Sequence, residues 1–234
     1  MNKMGWSIFR NNLLPLIVPG LLIVCLWITG CSPRLYSVNM NYNAEKAVVP
    51  AYLKAGEKER NAVIDITEFI DVRNVDDTVI IGRVVDKDGT KTSILPKYTK
   101  PTQAVASGVR RYLAKAGYTI SVNSHKWDLK EETIPQSDGK LIIGGNINEL
   151  ELICRKGFPT DSYQALIKLT LVLADGAKRK IIYRGSVESN SSLEHVTFSE
   201  ERLEEQINVA MSDAIEKIFQ DKNMAQKLKD ALLE

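Results

Sequence analysis

A short stretch near residue 190 carries side chains that could form a hydrolase site. Ser191, Glu194 and His195 stand close together in the sequence. A hydrolytic triad needs its serine on a constrained turn, with histidine and carboxylate brought to it by the fold. The chain has no Gly-x-Ser-x-Gly segment, and Asn190–Ser192 has the composition of a polar loop between a strand and a helix. The stretch therefore gives only weak support to hydrolysis.

The remaining histidine and acidic patterns predict neither a metal nor a cofactor. No second histidine or cysteine stands three or four positions from His125 or His195, the spacing that places two ligands together on a helix. Glu149 and Glu151 alternate on one predicted strand, where they could do acid–base work or simply face solvent. Asp86–Gly89 lacks the later ligands of a calcium loop and is predicted to be a turn. We expect no catalytic residue, no metal and no cofactor.

The first 30 residues have the plan of a secretory signal. Lys3 and Arg10 give a positively charged start, and Leu13–Ile28 follows without a charge, as in exported proteins. The uncharged run is shorter than the roughly 20 residues that span a bilayer, and Pro15 disfavours a continuous helix. An uncleaved membrane helix and a signal for soluble secretion stay open as alternatives.

The end of this leader, Ile28-Thr29-Gly30-Cys31, resembles the bacterial lipobox, in which an aliphatic residue and two small residues precede a cysteine. The resemblance implies a thioether-linked diacylglycerol on the sulfur of Cys31, cleavage between Gly30 and Cys31, and acylation of the new amino terminus. The next residue is Ser32 and not aspartate, which by the same resemblance favours the outer membrane. The body would then face the periplasm, anchored to the membrane by lipid.

The excess positive charge of the chain belongs to its leader. The sequence has 31 lysines and arginines against 29 aspartates and glutamates, and without Lys3 and Arg10 the two counts are equal. Nucleic-acid binding needs clustered cations, so we expect no nucleic-acid partner. Cys25 leaves with the leader and Cys31 carries lipid, so Cys154 has no partner for a disulfide. We predict that Cys154 is a buried thiol on a strand face.

Four segments are predicted along the chain: a signal peptide (1–30), a lipidated tether (31–60), an α+β domain (61–221) and a short helical tail (222–234). Alternating apolar residues and Asp-Gly turns predict strands in the domain. These strands cover Ala62–Arg73, Thr78–Val85, Lys91–Leu95, Tyr118–Val122, Lys140–Arg155, Ser162–Ala174 and Lys180–Ser189. Apolar residues at three- and four-residue steps predict helices over Pro101–Gly117 and Ser199–Gln220.

Several details of the sheet follow from the same patterns. Because Asp-Gly pairs separate the predicted strands, we expect a mostly antiparallel sheet with two amphipathic helices on one face. Ile181, Tyr183 and Val187 are predicted to share a strand face. Gly144-Gly145 predicts a bulge or a close approach of another segment. Trp127, in a polar loop, is predicted to pack back onto the body.

The lipobox, the early strand, the helix ending Leu113-Ala-Lys-Ala-Gly-Tyr118 and the sheet leading to a final helix together resemble the YajG-type bacterial lipoproteins, over roughly Ala62 to Gln220. This resemblance implies an α+β fold and an envelope location, with no catalytic residues to carry over.

The function predicted is a non-catalytic binding or assembly protein of the cell envelope with an envelope protein as partner. An auxiliary lipoprotein subunit of an envelope transport or surface-polymer export system is the alternative, suggested by a spare sheet face and an apolar tail at Leu228–Leu233. A periplasmic hydrolase is the less favoured alternative.

Overall fold

The folded body begins at Leu35, and the computed structural model describes residues 35–123, 125–137 and 139–233. The strands are β1 (Tyr36–Val38), β2 (Val63–Ile66), β3 (Ile70–Asp71), β4 (Gly82–Val85), β5 (Lys91–Pro96), β6 (Thr119–Ile120), β7 (Leu141–Arg155), β8 (Asp161–Asp175) and β9 (Lys180–His195). The helices are α1 (Pro101–Lys115), α2 (Glu200–Gln220) and α3 (Lys222–Leu233).

The strands of the described residues form one mixed sheet of nine. β7, β8 and β9 form a long antiparallel meander. Along its other edge, β7 pairs in parallel with β2, β3 and β4 in succession. β6 pairs in parallel with β2, β5 pairs antiparallel with β4, and β1 pairs in parallel with β5.

The expectation of a mostly antiparallel sheet was wrong, although the elements are those of an α+β protein. An Asp-Gly turn determines only the pairing of the two strands that it joins. β2 is separated from β7 by the long segment containing α1, and a crossover of that kind allows the two strands to pair in parallel. The turn at Gly89 is confirmed, since it joins the antiparallel pair β4 and β5 with a φ of +85°.

The alternation predicted for β8 is confirmed. Tyr163, Ile167, Leu169 and Leu173 are buried in the main core, on the sheet side that we call the helix face. The glycine pair on β7 does permit a close approach, because a Cβ at Gly145 would lie 2.4 Å from both the Phe69 ring and the Thr170 carbonyl oxygen. The bulge itself lies further on, between Ile147 and Glu149.

The helices pack on the helix face, and their apolar residues join the same core cluster. α1 begins with Pro101 and is followed by Gly117 at a φ of +97°. At the start of α2, the Ser199 side chain accepts a hydrogen bond from the Arg202 N–H at 3.3 Å, which satisfies a free helix donor. No helix in the described residues is long and apolar enough to cross a bilayer.

The C-terminal tail is part of the core. Met224, Leu228 and Leu232 of α3 are at most 2% exposed. The tail therefore does not project from the body. Of the apolar residues that suggested an export-system subunit, Leu228 and Leu232 are covered and Leu233 is 50% exposed.

The chain from Leu35 to Arg60, predicted as tether, also packs on the body. Tyr36, Val38, Tyr42 and Leu53 are buried in the main core. The Lys115 ammonium donates to backbone carbonyls of this segment at 2.7–2.8 Å. A polar segment with scattered apolar residues is thus held by a few deep anchors, which its composition does not reveal.

The loop between β6 and β7 covers one end of the opposite side of the sheet. Its Trp127, Leu129 and Ile134 form a second core cluster with Ile142, Val172 and Ala174. Trp127 is 3% exposed and its indole N–H donates to the Lys130 carbonyl at 2.8 Å, so its predicted packing is confirmed.

The predicted face of Ile181 was wrong. The register between β8 and β9 shifts at Leu173 and Ala174, so that Ile181 stands opposite Ala174 and Tyr183 opposite Leu173. One extra residue in a bulge moves the preceding side chain to the other side of the sheet. Ile181 therefore packs on the second cluster, whereas Tyr183 and Val187 pack on the main core.

Candidate functional site on the open sheet face

The residues predicted to be modified, Gly30 and Cys31, lie outside the described residues. Their cleavage and lipidation therefore stay predictions.

The candidate hydrolase residues are not brought together. β9 continues through His195, so the predicted polar loop at Asn190–Ser192 is strand instead. Four residue steps along the strand separate Ser191 from His195, a distance of roughly 13 Å. The Ser191 hydroxyl bonds to the Gln206 side chain, and the His195 imidazole contacts the Thr197 backbone. A strand at the sheet edge tolerates polar residues. The polar composition of Asn190–Ser192 predicted a loop, but these residues belong to β9.

Cys154 is the buried thiol that its strand pattern predicts. The side chain is 0% exposed and belongs to the main core. Burial raises the pKa of this thiol to about 11. A thiol protonated at neutral pH is a weak nucleophile and a poor metal ligand, which agrees with a packing role.

Glu149 and Glu151 lie on the side of the sheet away from the helices. Glu151 pairs with Arg83 at 2.9 Å and Glu149 with Lys168 at 3.6 Å, and all four side chains are between 40% and 50% exposed. These carboxylates are thus neutralised at a solvated surface. We call this surface the open face; it comprises Arg83, Glu149, Glu151, Leu166, Lys168, Thr170 and Ser186.

Hydrogen bonds cross the open face from strand to strand. The Thr170 hydroxyl of β8 lies 2.7 Å from Asn148 Oδ1 at the β7 bulge and 2.8 Å from Ser186 Oγ on β9. The bulge matters here, because it turns an extra polar side chain onto the surface. The three strands therefore carry a continuous polar row where the helix face carries apolar side chains.

A groove lies beside the open face, between β7 and the loop that follows β3. It has a volume of about 890 Å³. On the overhanging loop, Val72, Val75 and Val79 are 46%, 48% and 56% exposed. We call this feature the valine groove; it is lined by Val72–Asp77, Ile80–Arg83, Lys91, Ser93, Asn148–Glu151 and Leu166.

Arg73 holds the overhanging loop in place. Its guanidinium forms a two-pronged ion pair with Asp71, with contacts of 2.8–3.2 Å. The same group donates to the carbonyls of Thr78, Ile80 and Leu150 at 2.6–3.3 Å. With 3% of its side chain exposed, Arg73 ties both ends of the loop to β7. These contacts keep the groove in shape, and it could not be predicted because three of the Arg73 partners are backbone carbonyls.

Sequence reasoning also missed a buried contact between a carboxylate and an imidazole. His125 Nδ1 lies 2.6 Å from Asp65 Oδ2, and the Asp65 side chain is 0% exposed. The other oxygen, Asp65 Oδ1, has no hydrogen-bond partner among the described residues. Within the same residues, no hydroxyl or thiol is hydrogen-bonded to this imidazole. A charged residue inside the apolar run Val63–Ile66 was the available signal. The pair links β2 to the loop that carries Trp127.

The described residues contain no group of three histidine, cysteine or acidic side chains placed to hold a metal ion.

No family model matches the chain, and no curated protein sequence is significantly similar to it. Among solved structures, a Xanthomonas campestris protein of the DUF330 family has a TM-score of 0.49 at 10% identity, over 84% of this chain and 99% of that one. A Helicobacter pylori homologue of a neuraminyllactose-binding hemagglutinin has a TM-score of 0.42 at 15% identity, over 79% and 97%. A Neisseria meningitidis lipoprotein has a TM-score of 0.35 at 10% identity, over 68% and 99%. Similarities at this level carry no conclusion about function.

Proposed function

We propose that this chain is a lipid-anchored, non-catalytic binding or assembly protein of the bacterial cell envelope, held in the outer membrane and facing the periplasm. One observation carries the proposal: the Ile28–Cys31 box stands immediately before a folded body that begins at Leu35. Lipid on Cys31 would place that whole body at the membrane surface without a long linker. The resemblance to YajG-type lipoproteins stays a prediction.

The open face supports the binding role. It presents exposed ion pairs and a polar row beside the valine groove. Exposed apolar side chains surrounded by polar ones suit reversible contact with another protein. The proposed partner is therefore an envelope protein that contacts the rim of the valine groove.

Fractionation of cells that make the full chain or its Cys31→Ser variant tests the anchor. We expect the unaltered protein in the outer-membrane fraction and the variant outside it with its leader uncleaved. Cys154→Ser is the matched control, because that buried thiol takes no part in anchoring, and it should fractionate normally. Unaltered protein recovered free in the cytosol would refute the proposal.

Site-directed photo-cross-linking tests the binding surface. A photoreactive amino acid replaces Val75 on the groove rim or, as control, Val122, which is 97% exposed and lies away from the open face. We expect one envelope protein to be cross-linked from position 75 and not from position 122. Equal adducts from both positions, or none from position 75, would count against the groove.

A further inference from the structure

The end of the body where the chain enters carries an exposed apolar cluster. Phe158, Val196 and Leu35 are 90%, 72% and 55% exposed. Phe158 stands in the turn between β7 and β8, and Val196 follows the end of β9. Both line one shallow depression together with Lys87 and Lys156. We call Leu35, Phe158 and Val196 the entry cluster.

Contacts around Tyr36 bring the three residues of the entry cluster to the same end. The Tyr36 ring lies 5.2 Å from the Phe198 ring, measured between centroids. Lys156 lies 4.5 Å from the centre of that Phe198 ring and 3.4 Å from the Tyr36 hydroxyl. Leu35 precedes Tyr36, Val196 precedes Phe198 by two positions, and Phe158 follows Lys156 by two. The chain neighbours of Leu35, Phe158 and Val196 therefore contact one another at this end of the body, and Phe158 and Val196 line the same depression.

The charges at this end are compatible with a lipid surface. Three aspartates line the depression. Asp86 is paired with Lys156 at 2.8 Å, Asp161 accepts the Gly157 N–H at 3.0 Å, and the exposed Asp88 accepts the Thr90 N–H at 2.9 Å. Lys87 is exposed, and its ammonium lies 5.8 Å from the centre of the Phe158 ring. An aromatic residue beside a lysine is a common arrangement at the interface between lipid headgroups and acyl chains.

Chain length decides which end can face the bilayer. Four residues lead from Cys31 to Leu35 and span at most about 14 Å. The 15-residue strands β7 and β8 are roughly 50 Å long. Because residues 36–60 pack on the body, no further length is available as a tether. A lipid on Cys31 therefore keeps the entry cluster near the membrane and keeps the opposite end of the sheet away from it.

We infer that the entry cluster is a membrane-contact surface, with Phe158 and Val196 inserted among the lipids beside the Cys31 anchor. This inference rests on the proposed lipid anchor and adds a fixed orientation to it. The long strands would then point away from the bilayer, and the valine groove would be presented to partners in the periplasm.

Fluorescence quenching by brominated lipids tests the inference on the full chain, processed in a bacterium and reconstituted in vesicles of phosphatidylethanolamine and phosphatidylglycerol. Phe158→Trp places a reporter in the entry cluster, and Val122→Trp places one near the start of β7, at the far end. Trp127, the one native tryptophan after residue 30, is buried and common to both variants. We expect lipid-dependent loss of emission for Phe158→Trp and none beyond background for Val122→Trp.

The intact mass of the protein, measured first, distinguishes failure of the lipid anchor from failure of the membrane contact. Absence of lipid on Cys31 would refute the anchor itself. A lipidated protein with no quenching at position 158, or with equal quenching at positions 158 and 122, would overturn the membrane contact alone. If Phe158→Trp fails to fold by circular dichroism, Val196→Trp places the same reporter at the second exposed position, and the same outcomes decide.

Discussion

The two faces of the long sheet differ in how deeply their side chains are buried. On the helix face, β8 presents Tyr163, Ile167 and Leu171, which are fully buried in the main core. On the open face, the residues between them, Leu166 and Lys168, are partly exposed. Apolar burial at roughly 25 cal/mol per Å² stabilises the fold, so the helix face determines stability. The open face contributes little to stability, and its side chains are free to serve contact with a partner.

The largest expected effect comes from the buried arginine at the border between the faces. Arg73→Ala removes a buried ion pair and leaves three carbonyls without their donor, which should cost about 3–5 kcal/mol of unfolding free energy. Arg83→Ala, on the exposed pair with Glu151, should cost about 0–1 kcal/mol. Urea denaturation of both variants measures the contrast, and similar losses would show that the open face is also structural.

Two neighbouring residues on β8 give the next contrast. Ile167→Ala opens a cavity on the helix face and should cost about 2–5 kcal/mol. Leu166→Ala, one residue away on the open face, should cost about 1 kcal/mol or less. The midpoints of urea unfolding compare them directly. A larger loss of unfolding free energy for Leu166→Ala would mean that the open face, and not the helix face, holds the buried core.

Alkaline pH should weaken the helix face through its buried tyrosines. Burial raises the pKa of Tyr112 from its ordinary 10.0 to about 12, and burial also raises the pKa values of Tyr42 and Tyr118, with nearby Glu216 and Glu59 adding to the respective shifts. A raised folded-state pKa gives stability that is complete below pH 10 and is lost as the pH rises towards 12.

Unfolding free energy measured between pH 8 and 12, with tyrosinate absorbance followed in parallel, checks this dependence. Tyr112→Phe should flatten part of the slope, because that side chain no longer titrates. A slope unchanged by Tyr112→Phe would exclude Tyr112 as a contributor to the dependence.

The smallest contrast between the faces is expected for the polar row. Thr170→Val keeps the side-chain shape and removes the hydroxyl that bonds Asn148 and Ser186, at a cost of about 1 kcal/mol. Ser186 is exposed, so water can replace the lost bond. On the helix face, Ser189→Ala removes a 2.6 Å bond to the Asp213 carboxylate and should cost more, because bonds to charged groups are stronger. Thermal unfolding of the two variants ranks them, and the reverse order would contradict the contrast between the faces.

Local patterns predicted the helix face well. The alternation along β8 and the apolar stripes of α1 and α2 follow from each segment's own periodicity. Cys154 was placed correctly for the same reason, since it alternates with Leu150 and Leu152. The burial of Trp127 was predicted only from its being a large apolar residue in a polar loop, and its partners Ile142, Val172 and Ala174 are distant in the sequence.

What could not be predicted depends on distant residues. The parallel pairing of β2, β3 and β4 with β7 joins segments far apart in the chain. The contact between Asp65 and His125 spans 60 positions. Arg73 bonds to backbone carbonyls, which every residue has and which no sequence pattern can therefore predict. The last residues of β9, up to His195, are mostly polar. They did not predict a strand, because a strand at the sheet edge can form without continuous apolar alternation. The valine groove is a product of these distant contacts.

The intact mass of the protein extracted from outer membranes tests the central claim most directly. The account predicts a chain that begins at Cys31 and carries a diacylglycerol and an amide-linked acyl group. A mass equal to the full 234 residues, or to a chain with an unmodified Cys31, would contradict it.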